Sequence, residues 1–126
     1  MEVNMVDTIL LGPIFVKHYP YTYGYRKHEE PWKEAVANEC KNHWEHRRLL
    51  ERPVHLKLKF YLRKDKDYDL TGMLESTVNA ISNVIFPPHR GGHKTRWNHE
   101  DRWVYSIEAS KEFRESDHGV EIIVEG

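Results

Sequence analysis

Carboxylates are the side chains of this sequence whose type and spacing most directly suggest chemistry. Asp65, Asp67 and Asp69 alternate in a short run, Glu75 follows one apolar turn later, and Glu100 and Asp101 stand together further on. Magnesium takes hard oxygen ligands and usually only a few carboxylates, leaving water and substrate phosphate to complete its octahedron. Carboxylates at element ends suit that use, and each also has a structural one: Asp69 as a helix N-cap, Glu75 on a solvated helix face, Glu100-Asp101 in a turn. A second set is basic. Residues 41–66 hold nine Lys and Arg against Glu45, Glu51 and Asp65, whereas residues 67–86 hold only Asp67, Asp69 and Glu75. A basic block beside an acidic one suits a polyanion gripped by cations and approached by metal-holding carboxylates; two solvated faces explain the same counts. The third set is the loop HRGGHKTRWNH, where His89, His93 and His99 fit zinc or a harder transition metal, or further phosphate contacts. His43 and His46, three apart but without an acidic or thiolate partner at metal spacing, read as surface histidines.

These side chains need a scaffold, and the hydrophobic pattern supplies one. DTILLGPIFV reads as a first strand broken at Gly12-Pro13. Tyr19, Tyr21, Tyr23 and Tyr25 alternate in the following stretch, as a short strand or an ordered arm, with base stacking as the functional alternative. Trp32, Ala35, Val36, Cys40 and Trp44 recur at helical spacing, which predicts a helix from about Glu30 to Leu50 with Pro31 in its first turn. Val54, Leu56, Leu58, Phe60 and Leu62 then alternate with His55, Lys57, Lys59, Tyr61 and Arg63, the clearest strand of the chain, with one apolar and one basic face. Leu70, Met73, Leu74, Thr77, Val78, Ile81, Val84 and Ile85 trace a second helix, stopped by Pro87-Pro88. Trp103, Tyr105, Ile107 and Ala109 predict a third core strand, and Val120, Ile122 and Val124 a fourth. Strand, helix, strand, helix, strand, strand gives an α+β fold: a single domain over 1–126, with a mixed sheet of about four strands and two main helices.

Length and composition agree. At 126 residues the chain has the size of one domain and can bury a core without disulfides or structural metal. The lone Cys40 closes neither a disulfide nor a CxxC site, which points to a reducing compartment and a cytoplasmic protein. The start, MEVNMVDTILLGP, lacks a basic n-region and breaks its apolar run at Gly12-Pro13, so neither a signal peptide nor a membrane span is expected.

The stretch DYDLTGMLESTVNAISNVIF, then EDRWVYSIEASK and GVEIIV, resembles the RusA family of Holliday junction resolvases. That family carries an Asp-x-Asp-Asn motif entering a helix, a Lys one turn on, Asp-Ala-Leu near the helix end, an Asp-Asp pair before a strand with Val three positions after the second Asp, and a downstream Lys. Asp69 matches the first Asp, Asn79-Ala80-Ile81 the Asp-Ala-Leu, Glu100-Asp101 the pair, Val104 the Val and Lys111 the Lys. The resemblance spans roughly residues 54–124. It departs where Thr71 replaces the second Asp, Gly72 the Asn and Glu75 the Lys.

The resemblance implies a magnesium-dependent endonuclease, manganese being a possible substitute, that hydrolyses phosphodiesters symmetrically at four-way DNA junctions as a homodimer. It assigns Asp69 and Asp101 as metal ligands, with Glu100 and Glu75 as further ligands or a base. Lys57, Lys59, Arg63, Lys64, Arg90, Lys94, Arg96 and Lys111 are then the expected contacts to DNA, holding backbone phosphates without reading sequence. Trp97 and Phe86 are candidates to wedge into the crossover, with core packing as the alternative. The departures favour a second expectation, a relative that binds branched DNA without cutting it. A small interaction domain, consistent with the net charge of −1, is the third.

Overall fold

A computed structural model of the chain describes residues 8–21, 26–87 and 101–126. The side chains of Arg26 and Lys27 are not part of that description. Its elements run β1 (Ile9–Val16), α1 (Arg26–His43), β2 (Val54–Leu62), α2 (Leu70–Ile85), a 3-10 turn (Asp101–Trp103), β3 (Val104–Phe113) and β4 (Gly119–Glu125). The α+β class and the four-stranded mixed sheet with two helices are as the sequence predicts. None of the described helices is long and apolar enough to cross a membrane.

The sheet order is β1-β4-β2-β3, with β4 antiparallel to both β1 and β2, and β3 parallel to β2. Parallel neighbours need a crossover, and α2 is that crossover, running back over the sheet against the strand direction. Strand alternation divides the sheet into two faces. Leu56, Leu58, Phe60 and Leu62 of β2 and Val120, Ile122 and Val124 of β4 turn to the helices and form the core with Trp32, Val36 and Cys40 of α1 and Met73, Ile81 and Ile85 of α2. In β1 the break expected at Gly12-Pro13 is a register irregularity within a continuous strand. Gly12 has φ +96, and a Cβ there would sit 2.3 Å from the Ile122 carbonyl oxygen, so only glycine fits.

Three local expectations are corrected. Helix α1 starts four residues earlier than expected and ends at His43 instead of Leu50, leaving Pro31 inside the helix. Tertiary bonds replace the helical ones after residue 43: His46 Nε2 lies 2.7 Å from the Leu10 carbonyl, and the Leu50 amide donates to the Ile85 carbonyl at 2.7 Å. The tyrosine stretch is no strand where it is described. Tyr19 and Tyr21 lie in irregular chain, and both rings contact Tyr68. Strand β3 is an edge strand instead of a core one, with Tyr105 65% and Ile107 43% exposed, and Trp103 belongs to the preceding 3-10 turn. Alternation reads the same in a half-covered edge as in a buried strand.

Candidate functional site

The start of α2 is where polar groups from separate elements converge. Strand β2 ends at Leu62, and a turn from Arg63 to Asp69 leads into the helix. Two ties fix that turn. The Tyr19 hydroxyl donates to the Lys66 carbonyl while accepting from the Arg63 amide at 2.9 Å, and Lys66 lies over the Tyr19 ring. On the other side Lys111 of β3 donates to Asp67 Oδ1 at 2.8 Å and to the Tyr68 carbonyl at 3.0 Å. Ring contacts run from His118 through Tyr19, Tyr68 and Tyr21 to His28. Tyr19 and Tyr21 therefore serve to hold the turn, while Tyr23 and Tyr25 lie outside the described residues.

Asp69 stands at the N-cap position of α2 with extended backbone angles, yet its side chain makes no capping hydrogen bond. Its backbone carbonyl accepts from Met73, so the main chain turns as a cap does while the exposed carboxylate stays uncommitted to the helix. Lys111, 42 positions beyond Asp69, thus reaches the same end of the fold, where it grips the two residues before Asp69.

Beside this turn the two helices share a polar seam. Ser76, fully buried on α2, donates to Glu29 Oε2 of α1 at 2.6 Å, and Trp32 Nε1 donates to Thr77 Oγ1 at 3.2 Å. Lys33 is buried in the same seam. Burial pushes its ammonium below the ordinary 10.5, against the opposing pull of Glu29, Glu30 and Glu75. Glu75, expected as a ligand, is therefore one of the acids facing a buried lysine. Sequence reasoning missed Lys33, whose only signal was its place four residues after Glu29 and directly after the core Trp32.

Asp101 is not part of this cluster. Because β3 runs parallel to β2, Val104 lies beside Val54 and Phe113 beside Leu62. Asp101 precedes the start of β3, while Asp69 lies beyond the exit of β2, where Lys111 reaches it from near the other end of β3. At about 3.3 Å per residue the two carboxylates stand on the order of 20 Å apart within one chain. Among the described residues no group of three or more His, Cys, Asp and Glu side chains is gathered to hold a metal. Among the described residues of one chain, Asp69, Asp101 and Glu75, expected to hold magnesium or manganese, are not gathered together. Glu100, Arg90, Lys94 and Arg96, together with His89, His93, Trp97 and His99, lie outside the described residues.

The expected basic strand face is neutralised. Lys57 pairs with Glu125 of β4 at 3.2 Å and Lys59 with Glu112 of β3 at 3.4 Å, and Glu108 lies opposite Lys57 and Glu121 opposite Lys59. Arg63 pairs with Asp65 at 3.3 Å, and Lys64 is exposed in the turn. His43 and His46 each bond a backbone carbonyl, in keeping with their reading as surface residues, and Phe86 is a core side chain. Cys40 is a free, fully buried thiol that burial pushes up to about 12.

Comparison with known proteins finds no matching family model, no matching curated protein and no matching solved structure.

Proposed function

We propose that this chain is a RusA-type protein that recognises four-way DNA junctions as a homodimer in the cytoplasm. The observation that supports the reading is that Lys111 bonds Asp67 and the Tyr68 carbonyl, the two residues before Asp69, so that two positions of one long sequence pattern share a turn that β3 and the Tyr19 segment hold. The buried, unreactive Cys40 thiol accords with a reducing compartment.

A second reading, metal-dependent cleavage, is favoured by the uncommitted carboxylate of Asp69 and by the placement of β3. That strand is the outer edge of the sheet and exposes Tyr105, Ile107 and Phe113. Two copies joined edge to edge about a two-fold axis pair their β3 strands antiparallel. The Asp101 end of one copy then lies beside the Asp69 end of the other, so the two acids that one chain holds apart approach each other between chains.

The test is a labelled four-way junction and a matched linear duplex incubated with the protein in magnesium, manganese, calcium or EDTA. A salt-sensitive shift of the junction without cleavage is the expected result. Symmetric, metal-dependent nicks at the junction replace binding alone with the second reading; Asp69→Asn and Asp101→Asn then each abolish nicking and keep binding. No shift of branched DNA at low salt overturns the proposal. Sedimentation of an Ile107→Lys/Phe113→Lys variant, which places four like charges at the paired edge, is expected to show a monomer where the parent is a dimer.

A further inference from the structure

The ten residues from Trp44 to Pro53 have no regular secondary structure, yet they are fixed at two points. His46 is bonded to the Leu10 carbonyl and packs against Trp44 at 4.6 Å between ring centroids, and Leu50 is bonded to the last residue of α2. Between and beyond these points the segment carries Arg47, Arg48 and Arg52, which together with Leu10, His46, Leu49, Leu50 and Glu51 line a concavity of about 450 Å³. Lys57, Lys59, Arg63, Lys111 and Arg114 each have a carboxylate within ion-pair distance. Among the described residues Arg47, Arg48 and Arg52 have none, although Glu51 lines the same space.

Three guanidinium groups around one concavity repel one another, and the segment that carries them is held in place by bonds that do not involve them. Leu10, Leu49 and Leu50 line the same concavity, which is open to solvent, so its attraction for an anion weakens as salt rises. Guanidinium forks match the geometry of phosphate oxygens. Gly126, which follows β4, lies beside Leu10 and the Arg52 guanidinium.

We infer that the concavity of Arg47, Arg48 and Arg52 is a phosphate-binding cradle, and that on the reading above its occupants are phosphates of the DNA backbone. It lies at the Asp101 end of the sheet, beside the starts of β1 and β2 and the C-terminal end of α2, remote from the Asp69 turn. It therefore grips a stretch of backbone other than the one that meets the Asp69 turn of the same chain. Backbone phosphates carry no sequence information, so the cradle adds grip to duplex and junction alike.

The test compares the parent protein with Arg47→Ala/Arg48→Ala/Arg52→Ala and with the corresponding triple lysine variant, all checked for folding by circular dichroism. Binding of labelled junction and duplex is titrated in EDTA from 50 to 200 mM salt. The alanine variant is expected to lose at least tenfold in affinity for both DNAs, and its log-log salt slope to fall by between one and three units, about 0.9 per lost phosphate contact. The lysine variant should retain most of the slope. A parallel arm measures the thermal midpoint in inorganic phosphate against chloride at equal ionic strength, which needs no DNA. A phosphate-specific rise lost in the alanine variant, with DNA binding unchanged, supports the cradle and overturns DNA as its occupant. If the parent binds no DNA, the junction reading fails and the phosphate arm alone decides the cradle. An alanine variant indistinguishable from the parent in both arms overturns it.

Discussion

The two ends of the sheet treat charge in opposite ways. At the start of α2, Lys111 meets Asp67, Glu29 accepts from Ser76, and Lys33 lies buried within the pull of Glu29, Glu30 and Glu75. At the other end three arginines share a concavity with Glu51, and among the described residues none of the three is ion-paired to a carboxylate. In the first region polar groups are turned inward and join elements; in the second they face outward on a segment held by other bonds. Paired charges specify how elements sit together, whereas convergent like charges are useful only to something arriving from solution. The basic block of the sequence is thus divided by the fold: its strand lysines are neutralised by β3 and β4, and its loop arginines are not.

The largest expected contrast is in stability. Trp32→Ala removes a fully buried indole from the seam between the helices, together with its bond to Thr77, and should cost about 3–5 kcal/mol in urea unfolding. Arg48→Ala, exposed at the other end, should change stability by no more than about 0.5 kcal/mol. Equal costs would erase the distinction. Glu29→Ala sharpens it, because it leaves the buried Ser76 hydroxyl without its acceptor and removes the acid that pulls hardest on Lys33. A loss of about 1–3 kcal/mol is expected. Lys111→Met releases Asp67 and the Tyr68 carbonyl on a partly exposed surface, and should cost only about 1 kcal/mol. Its sharper consequence should be faster amide exchange at residues 64–69, read by NMR, while β1 and the 44–53 segment stay unchanged.

How much of this was legible in the sequence depended on the range of the forces involved. Helix α2 follows from its apolar stripe with both ends as predicted, since Pro87-Pro88 stops it and the stripe begins after Asp69. The end of α1 did not follow, because Trp44 continues the helical period while the bonds that stop the helix come from Leu10 and Ile85, far away in sequence. On a helix running to Leu50, Arg47 and Arg48 would have been an ordinary solvated face, so the cradle was hidden by that one boundary. The basic strand was legible as a strand but not as a neutral face, because its acidic partners lie on β3 and β4. The separation of Asp69 from Asp101 is equally a matter of topology: a parallel crossover places the start of its helix and the start of its second strand at opposite ends of the sheet.

Lys33 gives the comparison its smallest and most specific prediction. Its folded value lies below 10.5, so between that value and 10.5 the unfolded chain holds a proton that the folded chain has released. Stability therefore rises with pH across that window, by less than about 1.4 kcal/mol per pH unit for one group, and the cost of the buried charge is fully present below it. Cys40 acts in the opposite sense. Its folded thiol keeps a proton up to about 12, whereas the unfolded thiol ionises from about 9.0, so it lowers stability as pH rises above that point. Urea unfolding in a Cys40→Ala background removes the second effect. There, stability should climb as pH rises towards 10.5, and Lys33→Met should flatten the climb while raising stability below that window. A climb that survives Lys33→Met would place the titrating group elsewhere and reduce the seam to a packing contact. The same scan on Arg47→Met, as a control at the other end of the sheet and away from Lys33, should leave the profile unchanged.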